Sequence, residues 1–219
     1  MAELNEYREG LEIPPARMRH LPVDHRGYPV PWFVQFIDGK PDFRIMDRDH
    51  LVKAHKYQRC WVCGGALGAY KTFTIGPMCA VNLVSAEPPS HNDCAYYSAR
   101  MCPFLSLPKA KRREANMPEQ LGEMAGIGIM RNPGVTLCWT TKSYRVERDG
   151  KRGVLFRIGP PVGVRWFACG RDATREEVEE SIRTGLPILE EMATAEGPES
   201  VAALGRMVEA AMLLLPQAA

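Results

Sequence analysis

The chain has 219 residues, of which 45% are hydrophobic and 25% are charged, a balance typical of a globular protein rather than a disordered one. Its formal net charge of +2 is too small to indicate a nucleic-acid or membrane partner by itself. The sequence shows neither a signal peptide at its start nor an apolar run long enough for a membrane span, so we expect a cytoplasmic protein. In the cytoplasm thiols stay reduced, and clustered cysteines therefore indicate metal ligands rather than disulfides.

The first predicted region, residues 1–58, combines an arm with a hairpin and a helix. Residues 1–27 are rich in Pro, Arg and His and show no clear period, so we expect an extended arm. Two alternating segments then flank the turn signal Asp38-Gly39, which predicts a β-hairpin. Asp47 is placed to cap a short helix after it.

The second region, residues 59–108, is rich in cysteine and contains five of the seven in the chain. Cys60 and Cys63 form a Cys-x-x-Cys-Gly-Gly knuckle, in which two thiolates reach one ion from a tight turn. After a predicted strand, Pro77 begins a helix with Cys79 in its first turn, where unpaired N–H groups favour a thiolate.

The next helix begins at a capping box, and His91 and Cys94 lie three residues apart in its first turn. The predicted metal ligands are Cys60, Cys63, Cys79 and Cys94, with His91 and then Cys102 as substitutes. The order of knuckle, strand and helix-start ligands resembles the treble-clef and zinc-ribbon modules. The second Cys-x-x-Cys of those modules is missing, because position 82 is Asn.

This pattern favours a structural zinc ion, which takes four Cys or His ligands. An iron–sulfur cluster is the alternative, although the spacing matches neither ferredoxin pattern. A thioredoxin-type redox pair, or cysteines that simply pack, are further alternatives. Six candidate ligands build a closed site more easily than an open catalytic one, and no hydrolase or deaminase motif is present, so the sequence leaves enzymatic activity undecided. We expect Cys138 and Cys169 to be buried as small hydrophobic residues.

Residues 109–134 are predicted to be a connector. Its basic residues could contact nucleic-acid phosphates, or the segment could be a solvated linker. The basic residues are Lys109, Lys111, Arg112 and Arg113. Aromatic residues elsewhere could add stacking to such a nucleic-acid surface. They are Trp61, Tyr70, Tyr96 and Tyr97.

The last region, residues 135–219, changes from strands to helices. Three strands are predicted, over residues 135–146, 153–158 and 164–169. Thr174 and Glu177 form a capping box for a helix that should stop at Gly185. Leu186-Pro187 then begins a short helix, and Pro198 begins a terminal one. The apolar stripe of the terminal helix predicts a core contact or a homodimer contact.

These elements predict an α+β protein. It would have an N-terminal β-hairpin plus helix, a central Cys-rich metal-binding module and a C-terminal antiparallel three-stranded sheet with helices.

Four segments, IGPMCAVN, EPPSHNDCA, CPFL and ATREEVEESIRTGLPILEEMA, resemble a group of uncharacterised Cys-rich proteins encoded in bacterial and bacteriophage genomes. The likeness covers most of the chain from Pro29 onward, and it implies a bacterial or phage cytoplasm and a phage-encoded accessory protein. Three functions are consistent with the sequence. One is a zinc-binding accessory protein, which the basic connector could associate with nucleic acid. Another is an iron–sulfur or mononuclear metalloenzyme acting on a small molecule or nucleotide. The third is a phage protein that binds a host protein.

Overall fold

The computed structural model describes residues 7–107, 125, 132–150 and 153–217. Within these residues the chain is a mixture of helix and antiparallel sheet, which confirms the predicted α+β class. No helix in this part of the chain combines the length and apolarity needed to cross a bilayer. In order, the elements are β1 (Val34–Ile37), β2 (Lys40–Met46), α1 (Arg48–Lys56), β3 (Lys71–Ile75), α2 (Pro77–Asn82), β4 (Val84–Ser85), α3 (Asn92–Met101), α4 (Pro103–Ser106), β5 (Val135–Thr141), β6 (Tyr144–Asp149), β7 (Gly153–Ile158), β8 (Pro161–Ala168), β9 (Arg171–Asp172), α5 (Arg175–Glu196) and α6 (Pro198–Met212).

The N-terminal hairpin forms as predicted. β1 and β2 pair in antiparallel register across a two-residue turn, in which Asp38 and Gly39 have φ angles of 49° and 75°. Both angles lie in the left-handed region that a hairpin turn of this length requires, and Asp and Gly tolerate it best. The side chain of Asp47 then accepts a hydrogen bond from the backbone N–H of His50 at 2.9 Å, so the predicted cap of α1 is confirmed.

The strands form two larger sheets, with orders β3-β5-β8-β9 and β4-β7-β6. The predicted first C-terminal strand, residues 135–146, is in fact parts of two strands, β5 and β6, that belong to different sheets. β5 is buried at each of its positions, because helices cover both faces of its sheet. A strand from the cysteine-rich region, β3, pairs with β5 from Lys71 opposite Thr141 to Ile75 opposite Leu137.

The larger core lies on one face of the β3-β5-β8-β9 sheet, where α2, α5 and α6 pack. Its largest members on the sheet are Phe73, Trp139 and Trp166. On the other face, α3 packs its alanines against the buried side chains of Cys138 and Phe167. The sheet therefore holds α3 in a fixed place, which matters because α3 carries part of the metal site.

Helix α5 does not stop at Gly185, so that prediction was wrong. It continues through Pro187 to Glu196 as one helix of 22 residues. Proline lacks the N–H that would bond to the carbonyl of Arg183, so one hydrogen bond of the helix is lost. Val178, Ile182 and Leu189 form a continuous buried face across this point, and their packing in the core stabilises the uninterrupted helix.

The apolar stripe of the terminal helix faces the protein's own core. Leu204, Ala211 and Leu215 are buried there together with residues of the sheet and α5. This placement agrees with the core contact expected from the stripe. A homodimer through this helix stays a prediction.

Candidate metal centre

Four side chains from distant parts of the chain converge at one point of the structure. The Sγ atoms of Cys60, Cys63 and Cys94 and a ring nitrogen of His91 all lie within 4.8 Å of one another. The three cysteines are buried, with exposed fractions of 0%, 2% and 0%, and His91 is half-buried. All seven cysteines of the chain are free thiols, so none of these sulfurs is used in a disulfide.

The knuckle is a tight turn closed by its own backbone. The N–H of Cys60 donates to the carbonyl of Gly65 at 2.7 Å, and the N–H of Gly64 donates to the carbonyl of Cys60 at 2.8 Å. The N–H of Cys63 donates a hydrogen bond to Cys60 Sγ, with the nitrogen 3.4 Å from the sulfur. Gly64 has a φ of +71°, and a Cβ there would come within 2.8 Å of the Trp32 ring. Only glycine fits this position, for both conformational and steric reasons.

Backbone pairing with β3 holds the start of α3 beside the knuckle. Thr72 of β3 and Ser90 exchange two backbone hydrogen bonds of 2.9 and 2.8 Å. The hydroxyl of Thr72 also bonds to the side chains of Asn92 and Thr140. These contacts fix the backbone immediately before His91, whose own N–H lies 3.4 Å from Cys60 Sγ. The ligands on α3 are therefore positioned by sheet pairing between residues far apart in the sequence.

The ring of His91 is oriented by a second hydrogen bond. Its Nε2 lies 2.9 Å from the carbonyl oxygen of Ala66. A carbonyl only accepts, so Nε2 carries the proton and the neutral ring presents an unprotonated Nδ1. That Nδ1 lies 3.4 Å from Cys63 Sγ and 3.9 Å from Cys94 Sγ. Metal-binding histidines are usually held in this way, with the second nitrogen donating to a carbonyl or carboxylate.

The three thiols share protons because they lie so close together. Hydrogen bonds from Cys63 and Cys94 lower the pKa of Cys60, which therefore carries the negative charge. The hydrogen bond between Cys63 and Cys60 raises the pKa of Cys63 to about 11, and the hydrogen bond between Cys94 and Cys60 raises the pKa of Cys94 far above its usual range. The hydrogen bond to Cys60 also raises the pKa of His91. Without a cation, the cluster thus holds protons that a bound metal ion would displace.

The residues around the cluster form a second, smaller core. The side chains packed there come from the arm, the knuckle and α3: Met18, Leu21, Cys60, Val62, Cys63, Cys94 and Tyr97. At its edge, Arg17 Nε lies 2.9 Å from a carboxylate oxygen of Asp93. This hydrogen bond to Asp93 is the main cause of the raised pKa of Arg17, and the nearby thiols of Cys94 and Cys63 make smaller contributions. The arm therefore brings a positive charge to a site that three thiolates and a divalent ion would leave negative.

The donor distances suit one tetrahedral ion. With bonds of about 2.3 Å to sulfur and about 2.0 Å to nitrogen, a tetrahedron separates a sulfur from a nitrogen by about 3.5 Å. The two distances from His91 Nδ1 to sulfur, 3.4 and 3.9 Å, lie on either side of that value. Three soft thiolates and one imidazole are a donor set that zinc prefers. The residues present therefore fit a single metal ion.

The structure brings together four of the predicted site residues and leaves Cys79 out. Cys79 lies on α2 and packs against the larger core, where burial raises the pKa of its thiol. The preference for Cys79 over His91 is thereby corrected, because the first turn of α2 faces that core rather than the knuckle. Cys102, the other substitute, follows α3 as its C-terminal cap and is not in the cluster of four.

The two cysteines outside the Cys-rich region, Cys138 and Cys169, differ in burial. Cys138 is fully buried, as predicted. Cys169 is exposed and has a φ of 51°, in the turn between β8 and β9, so its predicted burial was wrong. The strand pattern before it indicated a buried position, but the strand ends one residue earlier, at Ala168.

Nucleic-acid binding through the connector stays a prediction. Lys109, Lys111, Arg112 and Arg113 lie outside the described residues. Two of the aromatic residues considered for stacking, Trp61 and Tyr97, are buried, with exposed fractions of 3% and 5%.

Fold and site together define a mixed helix-and-sheet protein with a Cys3His cluster that could hold a metal ion. Comparisons of the sequence with protein-family models and with curated proteins, and of the structure with solved structures, find no match. The resemblance to bacterial and phage proteins stays a prediction for the same reason.

Proposed function

We propose that this chain is a zinc-binding accessory protein of bacterial or phage origin, in which one zinc ion has a structural role. Cys60, Cys63, His91 and Cys94 are the ligands. The observation that carries the proposal is the convergence of three Sγ atoms and one ring nitrogen within 4.8 Å of one another. The orientation of His91 by the Ala66 carbonyl supports it, because that bond leaves the ligating nitrogen unprotonated.

A structural role follows from the number of protein ligands. Four ligands fill a tetrahedral zinc site, whereas a catalytic zinc has three and keeps one position for water or substrate. The burial of all three cysteines also limits access of a substrate to the ion. The ion would join the knuckle to the start of α3, and the arm packs against both in the smaller core. Zinc would thus stabilise a part of the molecule whose own core is small.

The same geometry disfavours an iron–sulfur cluster. Such clusters are usually held by four thiolates or, in the Rieske type, by two histidines and two cysteines. The set here has three cysteines and one histidine. Several irons and bridging sulfides also need more space between the ligands than one ion does.

Metal analysis of the protein tests the proposal directly. We expect about one zinc per chain and no sulfide in protein purified without added metal, and tetrahedral thiolate spectra after cobalt replaces the zinc. Cys79→Ser is the matched control, and it should leave the metal content unchanged. A coloured protein containing iron and sulfide, or a chain that takes up no metal when refolded with zinc, would contradict the proposal.

Metal affinity should rise with pH. Near neutral pH, Cys63 and Cys94 hold protons because their pKa values are raised, and zinc must displace both. For each proton that zinc displaces, the apparent affinity rises about tenfold per unit of pH. With two displaced protons we expect a rise of about 100-fold per pH unit. The raised pKa of His91 adds a third proton at lower pH. Chelator competition measured at several pH values tests this, and an affinity independent of pH would contradict it.

A further inference from the structure

A cavity of about 380 Å³ lies next to the metal site, between the β1–β2 hairpin, the knuckle, α3 and α4. Small-molecule sites commonly have volumes of about 300 to 1,000 Å³, so the cavity is large enough for a ring system. Trp61 and Val62, which separate the first two metal ligands, form part of its wall, as does Tyr97 of α3. The four metal ligands are not among the described residues that line it.

Much of the wall is aromatic. The ring of Trp61 stacks on that of Phe33, with centroids 4.9 Å apart and an interplanar angle of 13°. Tyr28 and Phe43 form another part, and the guanidinium of Arg26 lies over both rings, 5.5 and 5.1 Å from their centroids. Flat aromatic walls favour a planar ligand that can stack on them or meet them edge-on.

The positive charges at the wall are already neutralised. Arg26 Nε lies 2.7 Å from a carboxylate oxygen of Asp24, and a guanidinium nitrogen of Arg44 lies 2.5 Å from one of Asp42. Glu87 also lines the cavity and adds a carboxylate. An anionic ligand would therefore find no excess of positive charge, and a neutral ligand is favoured.

Two buried donors of the wall have no hydrogen-bond partner among the described residues. They are Nε1 of Trp61 and the hydroxyl of Tyr97. The indoles of Trp139 and Trp166, by contrast, donate to backbone carbonyls at 2.9 Å. Leaving a buried donor without a partner costs free energy, and such groups are rare in folded proteins. Trp61 and Tyr97 both line the same cavity, so a ligand bound there could supply the missing acceptors.

We propose that this cavity binds a neutral, planar heteroaromatic small molecule whose ring acceptors take hydrogen bonds from Trp61 Nε1 and the Tyr97 hydroxyl. Both atoms are shielded from solvent in the free protein, so a ligand engages them only when the side chains of Trp61 and Tyr97 shift towards the cavity. This binding site goes beyond the structural zinc. The metal would hold Trp61 and Tyr97 in place, since each lies close in sequence to a metal ligand.

Quinoxaline and naphthalene are a matched pair of probes for the test. They have the same shape, and only quinoxaline has ring nitrogens, two of them, that accept hydrogen bonds. The metal-loaded full chain, labelled with nitrogen-15, is titrated with each probe while the indole N–H signals are followed. We expect quinoxaline to shift the Trp61 signal, identified by its loss in Trp61→Phe, and to bind more tightly than naphthalene.

Replacing Tyr97 with phenylalanine removes one of the two donors and keeps the ring. We expect quinoxaline to bind about 3- to 10-fold more weakly and naphthalene to be unaffected, because one hydrogen bond is lost. The variant should be at least as stable as the wild type without ligand, since an unpartnered buried hydroxyl is gone. Tyr57→Phe, at an exposed tyrosine, is the control and should change neither affinity.

Three results would overturn the proposal. One is a Trp61 signal that neither probe shifts at millimolar concentration. Another is equal affinity for both probes, with no effect of Tyr97→Phe, which would show an apolar cavity without specific donors. The third is binding that appears only after deletion of residues 108–131, which would assign the cavity to a segment of the chain itself.

Discussion

Replacing Cys60 with serine is expected to abolish metal binding and to unfold the smaller core around the knuckle. Cys60 is the sulfur at the centre of the cluster, since it interacts with Cys63, Cys94 and the N–H of His91. A serine hydroxyl does not replace a thiolate as a zinc ligand. Loss of a structural metal belongs to the few mechanisms that cost more than about 4 kcal/mol of stability, and we expect a loss of that size for this region.

Metal content and hydrogen exchange together measure this effect. Amide protection should disappear from the knuckle and the first turn of α3 but persist in β5 and β8, which belong to the larger core. Cys79→Ser and Cys169→Ser are matched controls, because each removes a thiol outside the cluster and should leave the metal content at wild-type level. If Cys60→Ser retained the metal with unchanged affinity, the proposed site would be wrong.

Replacing Phe73 with alanine is expected to destabilise the whole protein by about 3 to 5 kcal/mol, as for other fully buried phenylalanines. Phe73 has an exposed fraction of 0% and lies on β3, where its ring contacts those of Tyr144 and Phe156 with centroids 5.6 and 6.4 Å apart. Its removal leaves a cavity at the point where β3 and β5 meet the β4-β7-β6 sheet. That packing cannot relax fully, because the surrounding side chains are held by both sheets.

Urea denaturation of the metal-loaded protein measures the change, provided that the slope with urea stays constant. Phe36→Ala is the control, because Phe36 has an exposed fraction of 44% and its loss should cost less than about 1 kcal/mol. The metal content should stay at about one ion per chain in both variants, since neither residue is a ligand. A cost below about 1 kcal/mol for Phe73→Ala would contradict the central place given to β3 in the core.

The parts of the site that depend on local geometry could be predicted from the sequence. The Cys60 and Cys63 knuckle follows from a spacing of three and from the glycines that allow the turn. The N-terminal hairpin follows from Asp38-Gly39, and the start of α5 from the Thr174 and Glu177 capping box, which the structure shows in full. In each of these cases the interacting residues lie within a few positions of one another, so the chemistry of a short segment is sufficient.

The sequence left the fourth ligand open, and only the tertiary structure could choose it. Cys79 and His91 were both plausible, because each lies in the first turn of a helix after β3. The backbone pair between Thr72 and Ser90 places the start of α3 beside the knuckle, whereas α2 packs into the larger core. Nothing local to either residue contains this information.

The sequence by itself determined the residue types of the metal site, its two nearest ligands, the hairpin and the N-terminal caps of α1 and α5, whereas the capping box expected at the start of α3 does not form. The tertiary structure decided which distant ligands meet, how the strands divide between two sheets, that α5 continues through Pro187, and that a cavity adjoins the knuckle. The physical reason is the range of the interactions. Turns and caps depend on neighbours in sequence, whereas sheet pairing and core packing join residues that only the folded chain brings into contact.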